Sequence, residues 1–189
     1  MRILTLCLAC FISTQALADW TLSEPSHVYF VSTKNNAIAE VNHFKAISGD
    51  VSDDGTATLK IDLSSVDTGI DIRDERINKH LFNTEKYTHA TFTSNIPTDV
   101  LKKAEKGQSF SLQLSGSLKL HGESQTISTA VSITSAKDGR IRVNSIEPVL
   151  IKADDFALAK GINKLREIAG LDSIVTTVPV TFSLLFTAQ

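Results

Sequence analysis

The chain has 189 residues, with 19 basic against 21 acidic side chains, a formal net charge of −2 and 42% hydrophobic residues. That balance argues against nucleic acid or an anionic membrane surface as a partner, and the length suits one domain around one core. Both cysteines, Cys7 and Cys10, lie in the first ten residues, so the rest of the chain has no thiol for a disulfide, a nucleophile or a thiolate metal site.

The chain opens with Arg2, an apolar run and then Ala16-Leu17-Ala18, the small-x-small pattern that a signal peptidase cuts after. We therefore expect a signal peptide over 1–18, cleavage near Ala18, and one domain over 19–189. The apolar run is shorter than the ~20 residues a spanning helix needs, so no transmembrane segment is expected in the mature chain. Lipid attachment at Cys10 is a weaker alternative, because the apolar stretch before it is short against a usual core of roughly 7 to 15 residues. The style of the leader points to export, with the periplasm as the expected location.

Period-two alternation, the mark of half-buried strands, dominates the chain after the leader. Strands are expected over 28–33 and 38–48, and then in "ATLKIDL", where Ala57, Leu59, Ile61 and Leu63 alternate with Thr58, Lys60 and Asp62. The pattern breaks at "IDIRDERINKHLF", which reads as a short helix capped by Asp74, with Ile77 and Leu81 four apart on one face. Strands resume over 90–94 and in "SFSLQLSGSLKL", which puts Phe110, Leu112, Leu114, Gly116, Leu118 and Leu120 on one face. Further strands are expected over 124–133, 141–145 and 147–152. The segment "DDFALAKGINKLREIAGL" carries Ile162, Leu165 and Ile168 at helical spacing, with Gly170 as a stop. The last strand, "VPVTFSLLF", holds Val178, Val180, Phe182, Leu184 and Phe186 in phase. Asp53-Asp54-Gly55, His121-Gly122 and Lys137-Asp138-Gly139 read as tight hairpin turns. Eight or so short-linked strands make an all-β antiparallel barrel or sandwich, with the helical pieces as lids or plugs.

The residues offer little support for catalysis. His27, His43, His80, His89 and His121 are scattered, and G-x-S-x-G, G-x-x-x-x-G-K-[ST] and H-E-x-x-H are all missing. His121-Gly122-Glu123 reads as a polar hairpin tip rather than a metal site, since a metal needs three or four protein ligands. Gly116, on the apolar face of its strand, marks either a bulge or a wide place in the inner wall. Pro179 has no N–H for the ladder, so the strand should begin after it or lie at an edge. A closed barrel of about eight strands is just wide enough to be filled by side chains or to hold one small ligand, and any cargo of this interior would be apolar.

The stretch over 65–94 carries Ser65-Val66-Asp67-Thr68, Arg73-Asp74, Ile77, Leu81-Phe82, Tyr87 and Thr91-Phe92-Thr93-Ser94 in order. With Ser26 and Phe30, the Gly116–Gly122 hairpin, Asp155-Phe156-Ala157-Leu158 and the last alternating strand, it resembles the YceI-like polyisoprenoid-binding family over nearly the whole chain after residue 18. The resemblance implies an extended eight-stranded, lipocalin-like antiparallel barrel. Its apolar pore would hold an amphiphile such as an isoprenoid quinone, a polyprenyl lipid or a fatty amide, with no catalysis and no cofactor beyond such a bound lipid. The expected pore wall is Phe30, Leu59, Ile61, Phe82, Phe92, Phe110, Leu112, Leu114, Gly116, Phe156, Phe182 and Leu184. Arg73 and Asp74 either pair with Asp67 and cap the crossover at one end of the barrel, the favoured reading, or meet a polar head group. The expected partner is a small amphiphilic lipid, not nucleic acid, and a homodimer is left open. Two other classes stay in view: a stress-protective or protein-interaction β domain with a filled interior, and a lipid hydrolase.

Overall fold

The computed structural model describes residues 20–136 and 138–189. The expected leader, with its cleavage point and the Cys10 alternative, lies outside the described residues. Strands run in chain order as β1 (Trp20–Lys34), β2 (Ile38–Phe44), β3 (Ile47–Val51), β4 (Thr56–Asp62), β5 (Val66–Asp67), β6 (His89–Asn95), β7 (Phe110–Leu120), β8 (Glu123–Ser135), β9 (Ile141–Ser145), β10 (Val149–Lys152) and β11 (Thr177–Ala188). Three helices join them: α1 (Asp71–Arg76), which continues into a π-helical turn (Ile77–Phe82), α2 (Thr98–Glu105) and α3 (Ala159–Ala169).

Every strand pairing is antiparallel. The order β11-β9-β8-β7-β6-β4-β3-β1 returns to β11 through the β1–β11 pairing and closes an 8-strand barrel. Strands β2 and β5 continue the sheet beyond β1, and β10 flanks β11. The wall follows from alternation. Along β7 each second residue from Phe110 is half-buried or buried while Ser111, Gln113, Ser115, Ser117 and Lys119 are exposed. The β7–β8 ladder runs from Phe110↔Ile133 to Leu120↔Glu123 without a slip, closed by His121 and Gly122, both with positive φ (51° and 90°), as a two-residue hairpin requires. Gly116 pairs with Ile127 inside that ladder, so it makes no bulge.

Several elements depart from the sequence expectation for identifiable reasons. Strand β1 begins at Trp20, earlier than expected, because its register shifts between Ser23 and His27 and hides the alternation. There the buried Ser26 hydroxyl donates to Ser23 O (2.6 Å) and accepts from Leu185 N–H (2.8 Å). The expected strand over 38–48 bends at Lys45-Ala46, which separates β2 from β3. Helix α2 has no counterpart in the sequence expectation: it has two turns after Pro97 and buries only Leu101 and Ala104, too short a stripe for periodicity to reveal. Asp74 does not cap α1, whose N-cap position is Ile70. The π turn advances the buried face, so Ile77 and Phe82, five apart, are the buried residues rather than Ile77 and Leu81. Pro179 lies inside β11, opposite Leu150 of the four-residue edge strand β10.

Candidate functional site

An elongated cavity of about 310 Å³ lies inside the barrel, at the lower end of the ~300–1,000 Å³ typical of small-molecule pockets. Phe30, Leu59, Ile61, Phe82, Phe92, Leu112, Leu114, Phe182 and Leu184 line it. Strand alternation puts them there: each is the inward member of its strand, apart from Phe82, which reaches in from the π turn. Lining residues with a hydroxyl are few, and no polar atom of the lining reaches the cavity surface. Ser94 spends its Oγ–H on Ser115 O (2.6 Å), and the Thr129 hydroxyl is buried and has no hydrogen-bond partner.

Three residues expected in the wall lie elsewhere. Phe110 is the first residue of β7 and packs beside the core of Trp20, Leu101 and Ile133 rather than on the cavity. Phe156, 1% exposed, lies in the 3₁₀ turn Ala153–Phe156 behind the cavity, with Leu63, Ile77, Phe82, Leu120 and Leu158 around it. Gly116 does not widen the pore. A Cβ there would come within 2.5 Å of both Phe92 Cζ and Thr93 O, so the glycine allows the Phe92 ring to lie against the strand.

Other lining residues escape sequence reasoning. Phe44 is in phase along β2 and joins a ring cluster with Phe30 (5.4 Å between centroids) and Phe82 (6.1 Å); its position at the β2–β3 bend masks it. Trp20 precedes the bulge of β1, and Leu101 and Ala104 belong to the short α2. The alternation does mark Leu118 and Leu120, which also line the cavity.

Each end of the cavity meets helical residues. Val100, Leu101 and Ala104 of α2 face it at one end; Leu81 and Phe82 of the π turn, with Leu158 and Ile162, face it at the other. At this second end α3 packs backbone to backbone on the π turn, because a Cβ at Gly161 would come within 2.6 Å of His80 O. His121, at the β7–β8 hairpin tip, packs at a tilt of 54° against Tyr87 (4.4 Å between centroids) and places Nδ1 3.3 Å from Phe156 O. No cluster of metal-ligating side chains occurs among the described residues.

Arg73 and Asp74 clasp Thr68 between them. Thr68 N–H donates to Asp74 Oδ1 (3.0 Å), as does the Thr68 hydroxyl, while Arg73 Nε donates to Thr68 Oγ1 (2.7 Å) and Nη2 to Thr68 O. Arg73 Nη1 meets Glu40 Oε2 at 2.8 Å, and Lys34 Nζ meets the same oxygen at 2.9 Å. The Lys34 ammonium, followed by the Arg73 charge, holds the Glu40 carboxyl below its ordinary range. Asp67 pairs with neither; its partners are Lys45 Nζ (2.9 Å) and Gly69 N–H (2.8 Å). Neither Arg73 nor Asp74 lines the cavity. Their bonds tie α1 to β2 and to the end of β5.

The family model described as a YceI-like domain matches residues 20–186. Among solved structures, a polyisoprenoid-binding domain from Saccharophagus degradans, implicated in plant cell wall breakdown, is 37% identical with a TM-score of 0.88, over 92% of this chain and 100% of that one. BcnA of Burkholderia cenocepacia is 23% identical with a TM-score of 0.64, over 85% of this chain and 95% of that one, which shows a shared fold. No match is found among curated protein sequences.

Proposed function

The chain belongs to the YceI-like domain family, and from that membership and its apolar cavity we propose that it is a periplasmic, non-catalytic carrier or store for one long-chain amphiphile. Isoprenoid quinones, polyprenyl lipids and fatty amides are the classes that suit the site. The observation that carries the reading is the cavity surface, continuous from α2 to α3 and without an exposed polar atom. Such a surface selects by area: each methylene withdrawn from water is worth about 0.8 kcal/mol, whereas one net hydrogen bond is worth about 1 kcal/mol. A tail of ten methylenes therefore supplies roughly 8 kcal/mol before the costs of association are met. The tail sets affinity, and the head group sets orientation.

The similarity to a polyisoprenoid-binding domain supports an isoprenoid cargo. Native mass spectrometry of the protein taken from its own periplasm, followed by organic extraction, tests this directly. One isoprenoid or acyl species near one per chain is the expected result. An empty protein that also ignores added quinone and acyl amide would reject the proposal and leave an interaction domain with a filled interior.

A further inference from the structure

The barrel wall has a seam. The β8–β9 ladder stops at Val131↔Ser145, and its last hydrogen bond runs from Ile146 N–H to Ala130 O (2.9 Å). The chain then passes through Glu147 and Pro148, and Pro148 has no N–H with which to continue the ladder. Strand β10 pairs with β11 alone, and residues 123–129 of β8 pair with β7 alone. Among the described residues no backbone hydrogen bond joins β8 to β10. The two sides meet again past the seam, where Gln125 Nε2 donates to Asp155 O (3.0 Å).

Both lips of this seam lead to the cavity. Ile127 and Thr129 of β8 and Val149 and Ile151 of β10 line it. On the outer side of the β10 lip stand Ile146 and Leu150, 56% and 60% exposed, so that lip carries apolar side chains on both its faces. Helical residues face the cavity at both ends of the barrel. A gap lacking ladder hydrogen bonds opens without breaking any, whereas displacing α3 would unpack buried residues such as Phe156 and Ile162.

We infer that the amphiphile enters and leaves sideways, through the seam between β8 and β10, with its tail passing over Ile146 and Leu150 while the α3 end stays shut. The inference rests on the proposed binding function. The test uses a chain carrying Cys7→Ser and Cys10→Ser, with Thr126→Cys and Lys152→Cys on the two exposed lips joined by a bis-maleimide whose linker contains a reducible disulfide. A second protein carries Lys79→Cys and Lys160→Cys, linked in the same way across the π turn and α3. Uptake and release of a short-tailed isoprenoid benzoquinone are followed by stopped-flow fluorescence. The seam link should slow both at least tenfold, with recovery once the linker is reduced, and the lid link should leave both within twofold. Unchanged rates with the seam linked, or slowing by the lid link alone, overturn the portal and leave binding intact. A protein that takes up no quinone in any form overturns the binding reading and the portal together.

Discussion

The two ends of the barrel are closed by different means. At one end α2 contributes eight residues, Leu101 and Ala104 being its buried ones, no side-chain cap, and an exposed Lys103–Asp99 pair at 3.6 Å. At the other, the α1–π turn–α3 assembly sits on a core that includes Leu63, Ile77, Phe82, Phe156 and Ile162, held close by Gly161 and tied to β2 through Arg73 and Glu40. One end is a thin plug, and the other is part of the body of the protein. Of the charged residues in the 65–82 region, Arg73 has three bonded donor positions and Asp74 accepts from Thr68, which joins α1 to β2 and β5.

The contrast makes graded predictions. Phe156→Ala, at a position 1% exposed in the α3 end, should cost about 3–5 kcal/mol and lower the midpoint of thermal unfolding by many degrees. Leu101→Ala in α2 should cost about 2 kcal/mol, the low end for a buried leucine, because the site already borders a cavity. Hydrogen exchange should show α2 amides opening locally while α3 amides exchange through global unfolding. Equal losses for the two variants, with equal protection of the two helices, would erase the distinction between plug and body.

The smallest effect concerns Glu40. Its carboxyl is depressed in the folded state by Lys34 and Arg73, so the stability it supplies is fully present above the ordinary glutamate range near ~4.3 and is lost as pH falls through the lower folded value. Both sides of the pair are partly exposed, 26% for Arg73 and 32% for Glu40, which limits the gain to about 1 kcal/mol or less. Glu40→Gln should lower stability slightly at neutral pH, and the difference from the parent should shrink as pH falls through the lowered folded value. A difference that does not shrink on acidification would mean that packing, not charge, joins α1 to β2.

Legibility in the sequence divides along the same line. The wall is readable because a residue's face on a strand follows from its parity alone, and Leu59, Ile61, Leu112, Leu114, Phe182 and Leu184 all point inward as alternation requires. The closures are not, because their geometry depends on irregularities that pattern does not encode. A π turn shifts the buried residue from Leu81 to Phe82, a register shift conceals the first half of β1, and a bend hides Phe44. Gly116 shows the limit of pattern most plainly. Its missing side chain reads as empty space in one dimension, yet in three the space belongs to Phe92.

The chain contains one tryptophan, and that residue, Trp20, lines the cavity at the α2 end. Titrating the folded protein with a short-tailed isoprenoid benzoquinone while recording Trp20 fluorescence tests the central claim directly. If the cavity is a binding site, quenching will saturate at one quinone per chain and be reversed by a competing unlabelled polyprenol. Fluorescence that stays constant, or falls in proportion to quinone without saturating, would contradict the claim that this interior holds a ligand.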